Sequence, residues 1–237
     1  EQSDGKALDL YGQRVDGDGT LLDSALTLCA AEGDQAAPAV AYNAATGHYL
    51  VAWQDAREGD AADLYARAVK GGSGDREDEF LVYAGEEYQY TPAVAANEEE
   101  GEYLVAWQEG SEGDVYGRRT LTDDITGEAF AITTAEGAQE APAVAYDAEE
   151  SAYLVVWEHA VSSTNHNIHG MRIDGSGGLV ESHIIATDSK DEIFPSLAAS
   201  PLGYLVTWEY AYSDSDHDIY GQRLNLTGDL DGGLVYF

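Results

Sequence analysis

Tyr153-Leu154-Val155-Val156-Trp157 has close copies along the chain that end at Trp53, Trp107 and Trp208. Successive tryptophans therefore lie 54, 50 and 51 residues apart, and self-similarity at such a period indicates a repeat architecture. Alternate residues in the stretch are aromatic or β-branched, which favours a strand. The opposite face is apolar as well, which predicts a strand buried on both sides, in a sheet stacked between other sheets.

A second motif of the type Asp-x-Tyr-Gly-x-Arg follows each Trp strand and also occurs once near the N-terminus. Its copies occupy residues 9–14, 63–67, 114–119, 167–172 and 218–223. A turn and a further apolar strand follow most copies, and a small-residue strand of the type Pro-Ala-Val-Ala precedes each Trp strand. Four antiparallel strands in about fifty residues are the blade of a β-propeller, so we predict an all-β fold.

The side chains of each strand predict its place in the blade. Blades converge on a central channel, so the small-residue strand is expected innermost and the Trp strand second. The Asp-x-Tyr-Gly-x-Arg strand is expected third, with its arginines paired to carboxylates, and the variable strand at the rim. Cys29, the only cysteine, is expected on a rim strand as a buried thiol, level with Tyr83, Thr133 and Ala186.

The number of blades depends on how the half-blade near the N-terminus is counted. Residues 1–237 are expected to form a single domain, with a half-blade at 7–33 and blades at about 34–87, 88–137, 138–190 and 191–237. We favour a five-bladed ring whose split blade is incomplete. A four-bladed ring with a spare hairpin and a piece of a longer array are the alternatives, and the start of the chain suggests a processed form or a fragment.

The two motifs, which recur together at the same period, resemble the tandem propeller repeats of secreted and cell-surface bacterial and archaeal proteins. The resemblance extends from about residue 8 to residue 234. It implies a β-propeller in an extracellular or cell-surface location. It implies little about activity, because propellers host unrelated functions.

The composition is strongly acidic, with 45 Asp and Glu against 11 Lys and Arg and a formal net charge of −34. Such a surface repels nucleic acid and anionic lipid, so neither is expected as a partner. No apolar run is long enough for a membrane span. The acidity is typical of proteins from salt-rich habitats, where screening is strong, and it also suits Ca²⁺ binding by loop carboxylates.

Polar residues recur at one mouth of the predicted channel. Each Trp is followed by Gln or Glu, and each small-residue strand has Gln or Glu three residues before its proline: Gln54, Gln108, Glu158 and Glu209 in the first set, Gln35, Gln89, Gln139 and Glu192 in the second. They are candidates for equivalent sites that bind sugars or cations. The alternative is that they cap strand ends and bond loop backbones in every blade.

Two acidic loops are candidate calcium sites, because alternating carboxylates can wrap a hard cation. One contains Asp214, Asp216 and Asp218, and the other contains Asp16 and Asp18. Neither has the full pattern of an EF-hand loop. The histidines lack the close spacing of a zinc site.

A glycosylation sequon begins at Asn225, where Leu226 and Thr227 follow. It is expected on a surface turn.

Near-identical positions in every blade argue against catalysis, which needs one asymmetric set of unlike groups. We therefore expect a non-enzymatic protein, a propeller subunit of a surface structure or filament that self-associates head to tail through its open blade edges. A lectin-like carbohydrate-binding module is the first alternative. A glycoside hydrolase is the second and is disfavoured, because no pair of carboxylates stands out.

Overall fold

The computed structural model describes residues 7–59, 61–111, 113–213 and 215–237, and the regular structure in these ranges is β. The strands are β1 (Leu10–Val15), β2 (Leu21–Cys29), β3 (Gln35–Asn43), β4 (His48–Asp55), β5 (Asp63–Lys70), β6 (Arg76–Tyr83), β7 (Gln89–Asn97), β8 (Glu102–Glu109), β9 (Asp114–Thr120), β10 (Phe130–Thr133), β11 (Gln139–Asp147), β12 (Ala152–Ser162), β13 (Asn165–Asp174), β14 (Leu179–Ala186), β15 (Asp191–Ser200), β16 (Gly203–Ser213), β17 (Asp216–Leu224) and β18 (Val235–Tyr236). None of the described segments is a helix that could cross a membrane.

Consecutive strands pair antiparallel into five sheets. Strands β1 and β2 form a two-stranded sheet, and the remaining strands form four-stranded sheets in the orders β3-β4-β5-β6, β7-β8-β9-β10, β11-β12-β13-β14 and β15-β16-β17-β18. The first strands of successive four-stranded sheets contact one another, β3 with β7, β7 with β11 and β11 with β15. The small-residue strands therefore line the axis, and the fold is the predicted five-bladed propeller with one incomplete blade. We number the four-stranded sheets as blades one to four and call the β1-β2 sheet the half-blade.

The core lies between blades. Four apolar clusters join the half-blade to blade one, blade one to two, two to three, and three to four. The Trp strands are covered on both sides wherever two blades flank them, and Trp53, Trp107 and Trp208 are fully buried. Large aromatic side chains contribute most of the apolar area here, so each seam between blades is held mainly by these strands.

The pairing register repeats from blade to blade. Trp53 stands opposite Tyr65, and Trp107 stands opposite Tyr116 with ring centroids 6.2 Å apart. Cys29 stands opposite Leu10 and is buried, as expected. The repeated register means that equivalent residues can be compared between blades as internal controls.

A bulge before the proline of each inner strand bends the backbone at the channel mouth. The residue before the proline has a positive φ in all four blades: Ala37 (47°), Thr91 (45°), Ala141 (49°) and Phe194 (52°). Residues before proline normally adopt extended conformations, and positive φ is strained for residues with a Cβ. The bend separates the first two residues of each inner strand, which lie at the mouth, from the straight segment that lines the channel.

The expected pairing of the third-strand arginines with carboxylates is confirmed. The ion pairs are Arg14–Asp23 (2.5 Å), Arg119–Glu102 (3.2 Å), Arg172–Glu150 (3.3 Å) and Arg223–Asp231 (3.4 Å). Partly exposed pairs of this kind contribute up to about 1 kcal/mol each.

The last residues of the chain complete blade four. Strand β18 pairs with Tyr220 and Gly221 of β17 as the rim strand of this blade. Among the described residues, the incomplete sheet is therefore the half-blade, which has the third and rim strands of a blade without the two inner ones.

Candidate active site at one mouth of the channel

The residue after each Trp connects one blade to the next. The Gln54 side-chain amide donates to the backbone carbonyl of Gln89 at 2.7 Å. Gln108 donates to Glu140 Oε1 at 3.4 Å, and Glu158 Oε2 accepts from the backbone N–H of Phe194 at 2.9 Å. In the first three blades the side chain at this position therefore bonds to the next blade, and ligand binding by these residues stays a prediction.

Glu209 occupies the same position in blade four. Its carboxylate contacts the ring of His217 in its own blade, across the β16-β17 hairpin. Its side chain is 28% exposed.

The glutamines at the start of the inner strands anchor the preceding loops. Gln35 donates to the Gly33 carbonyl at 3.0 Å, and Gln89 and Gln139 donate to the carbonyls of Glu87 and Gly137. All three side chains are buried. They cap loops from within the protein, so they are poor candidates for direct contact with a ligand.

Glu192 occupies this anchoring position in blade four without an amide to donate. It is 3% exposed, and its Oε2 has no hydrogen-bond partner. Burial raises the pKa of Glu192 to about 7, with a further contribution from Asp188, while a backbone hydrogen bond from Asp188 opposes the rise. A glutamate here carries a cost that the three glutamines avoid.

Glu158 and Glu140 form the pair of carboxylates that sequence analysis missed. They stand opposite each other across β11 and β12. Burial raises the pKa of Glu158, and the charge of Glu140 raises it further. The hydrogen bond from the backbone N–H of Phe194 lowers it in part. Two adjacent carboxylates cannot easily both ionise, so Glu158 holds its proton more tightly than an isolated glutamate does.

A signal for Glu140 was present in the repeats. The equivalent residues in the other blades are Ala36, Tyr90 and Ile193, so a carboxylate occurs at this position in one blade only. Beside the pair, the Phe194 ring is 62% exposed. Blades three and four thus depart from the symmetry of the others and form one asymmetric acidic site with an apolar surface next to it.

The predicted calcium ligands are placed as follows. Asp214 lies outside the described residues, and Asp216 and Asp218 are exposed. Asp16 Oδ1 accepts from the backbone N–H groups of Asp18 and Thr20, which closes the β1-β2 turn. Across the described ranges, no three His, Cys, Asp or Glu side chains are grouped as a metal site would require. Calcium binding stays a prediction.

Asn225 lies on an exposed turn and is bonded within it. Its Oδ1 accepts from the backbone N–H groups of Thr227 and Asp229 and from the Thr227 hydroxyl. Glycosylation of Asn225 stays a prediction.

A buried polar network around Asp55 was not anticipated from the sequence. Asp55 is fully buried, accepts from Trp53 Nε1 at 2.8 Å and forms an ion pair with Arg57 at 2.6 Å. Burial alone would raise the pKa of Asp55, but the hydrogen bonds from Arg57 and Trp53 lower it. The network joins the half-blade as well, because Arg57 also donates to Cys29 Sγ at 3.1 Å.

Comparison with known proteins finds likeness of fold only. No protein-family model and no curated protein matches the chain. Among solved structures, the GH43 endo-arabinanase from Bacillus licheniformis has 15% identity and a TM-score of 0.55, over 98% of this chain and 95% of that one. An alpha-L-arabinofuranosidase from Lactobacillus brevis has 10% identity and a TM-score of 0.57, over 89% and 81%. A protein of unknown function from Dyadobacter fermentans DSM 18053 has 14% identity and a TM-score of 0.64, over 85% and 68%.

These matches correct the functional expectation drawn from the sequence. A non-enzymatic binding or assembly protein was expected, and catalysis was disfavoured because of the repeated positions. That expectation is wrong, because the matching propellers include family-43 glycoside hydrolases and arabinofuranosidases. Rotational repetition of a scaffold does not argue against an enzyme, since substitutions in one or two blades suffice to make a site asymmetric.

Proposed function

We propose that the chain is a glycoside hydrolase acting on arabinose-containing polysaccharides, with its acidic site at the seam of blades three and four. The observation that carries the proposal is the buried Glu158 next to Glu140. Glycosidases use one carboxyl group that stays protonated near neutral pH and a second carboxylate, held in different environments. The substrate class is suggested by the endo-arabinanase and arabinofuranosidases that share the fold.

Glu158 is the proposed general acid. Its raised pKa leaves it a proton to donate to the leaving oxygen of the glycosidic bond. The neighbouring charge of Glu140 favours the protonated form of Glu158. Glu209 is the proposed second carboxylate, because it occupies the position of Glu158 one blade further round the channel and is partly exposed. The exposed Phe194 ring offers an apolar surface to the face of a sugar.

The test is hydrolysis of arabinan and arabinoxylan, measured as released reducing sugar. Glu158→Gln keeps the side-chain shape but cannot donate a carboxylic proton, so kcat should fall by about 10²–10⁴-fold. Glu128→Gln is the matched control, since Glu128 is a fully exposed rim carboxylate, and its activity should equal that of the parent. Circular dichroism of both variants should match that of the parent, which checks that they remain folded.

A further readout separates general-acid catalysis from a structural role. Activity of the parent should fall as pH rises through the raised pKa of Glu158, and Glu140→Gln should shift that fall to lower pH, because the neighbouring charge is removed. No hydrolysis of either polymer by the folded parent, or full activity of Glu158→Gln, would overturn the proposal.

A further inference from the structure

The half-blade leaves one edge of a sheet open. Strand β1 corresponds to the third strands β5, β9, β13 and β17, each of which pairs with a Trp strand on its inner side. In the described part of the chain, β1 pairs only with β2. The inner backbone N–H and C=O groups of Leu10–Val15 are therefore a template for another strand.

Blade four exposes an apolar face that is covered in every other blade. Ile219 is 48% exposed, whereas the equivalent Leu64, Val115 and Ile168 are fully buried. Leu205 is 37% exposed, and its equivalents Leu50, Leu104 and Leu154 are also fully buried. In blades one to three these residues pack on the inner strands of the next blade, which the half-blade lacks.

Blade one also has a side chain that is more exposed than its equivalents, on the face toward the half-blade. Tyr49 is 37% exposed, while the equivalent Tyr103 and Tyr153 are fully buried against the preceding blade. A cleft of about 440 Å³ lies here, lined on one wall by Tyr11 and Leu28 of the half-blade and on the other by Tyr49 and Val51. The open edge, the exposed face and the cleft therefore all mark the two strands that the half-blade lacks.

We propose that this gap is the docking site for one polypeptide β-hairpin of the repeat's own pattern, a Pro-Ala-Val-Ala strand followed by a Tyr-Leu-Val-x-Trp strand. The register of the other blades defines its position. The hairpin's tryptophan would stand opposite Tyr11, as Trp107 stands opposite Tyr116, and its leucine opposite Arg14, as Leu104 stands opposite Arg119. Both faces of its Trp strand would be covered, one by blade four and one by blade one.

The occupant is a hairpin rather than a second intact copy of the chain. Each inner hairpin among the described residues already pairs with the third strand of its own blade. An intact copy would have to dismantle a blade to donate one. The hairpin must also carry little negative charge or bind at high salt, because the chain carries a net charge of −34.

The probe is a synthetic peptide with the sequence of residues 35–55, the inner hairpin of blade one, which has a single carboxylate side chain, Asp55. Calorimetry should show one peptide bound per chain. Hydrogen exchange of the Leu10–Val15 amides should slow at least tenfold when the peptide is added. A peptide with Trp53→Ala should bind at least about tenfold more weakly, because the large buried aromatic contact is lost.

Two protein variants locate the site. Ile219→Lys places a charge on the exposed face of blade four and should weaken peptide binding at least tenfold, without lowering the unfolding midpoint of the free protein. Leu179→Lys is the matched control, since Leu179 is similarly exposed on β14 outside the gap, and it should bind as the parent does. Glu158→Gln should also bind normally, which keeps this test independent of the hydrolase proposal.

Three results would overturn the proposal. The first is no binding, or equal binding of a shuffled peptide. The second is peptide binding that Ile219→Lys leaves unchanged. The third is concentration-dependent self-association, seen by sedimentation, that protects Leu10–Val15 without peptide, because a second copy would then be the occupant.

Discussion

Replacing Glu192 by glutamine should make the protein more stable, by an amount that grows as pH rises above about 4.5. Glu192 fills a position where Gln35, Gln89 and Gln139 donate amide hydrogen bonds to loop carbonyls. Glutamine at residue 192 could make the same bond, and it would leave no buried charge. Glu192→Gln therefore gives blade four the same residue that anchors the loop in the other three blades.

The magnitude follows from the pKa. A rise from an ordinary 4.5 to about 7 corresponds to about 3 kcal/mol between the ionised and neutral forms of Glu192. Because the folded protein holds this proton more tightly than the unfolded chain, its stabilising effect is complete below about pH 4.5, falls as pH rises to about 7 and is lost above it. The advantage of Glu192→Gln should accordingly grow from near zero at about pH 4.5 to about 2–3 kcal/mol at about pH 8.

Urea denaturation of both proteins across this pH range measures the difference directly. Gln139→Glu is the matched control, since it introduces the same carboxyl at the equivalent site of blade three and should lose stability over the same pH window. A gain in Glu192→Gln that does not depend on pH, or a Gln139→Glu variant as stable as the parent at pH 8, would refute the account of this position.

Three further predictions concern the fold and its solvent. Asp55→Asn should cost about 1.5–3 kcal/mol in chemical denaturation, because it weakens the charge-assisted bonds at a fully buried carboxylate while Arg57 keeps Glu79 as an ion-pair partner. Asp23→Asn, in an exposed pair, should cost at most about 1 kcal/mol, and equal losses would contradict the argument. Gly137→Ala should cost about 1–3 kcal/mol, since Gly137 has a φ of 94° and an added Cβ would collide with the Ala160 carbonyl, whereas Gly127→Ala meets no atom and should be neutral. The melting temperature should rise between low salt and about 1 M NaCl, where the screening length is about 3 Å, and a melting temperature that is unchanged by salt but raised by millimolar CaCl₂ would indicate cation binding instead.

Repetition made most of the scaffold predictable from sequence. The alternation of residues around each Trp indicates a strand, and the turn residues and the order of motifs indicate which strand pairs with the next. The buried thiol of Cys29 and the arginine–carboxylate pairs follow from the same register, because they depend on neighbours within one sheet or at one repeated seam. These features are local or periodic, so the sequence pattern carries them.

The candidate site depended on tertiary structure, because each of its special residues is defined by a neighbour in another strand or blade. Glu158 and Glu140 lie eighteen residues apart in sequence and meet only across β11 and β12. Glu192 matches its glutamine equivalents in position, and only its burial, which raises the pKa of its carboxyl group, shows that a glutamate is costly there. The gap beside β1 is visible as exposed Ile219 and Tyr49 only when blades are compared in three dimensions, since burial of a side chain is decided by what packs on it and not by its own identity.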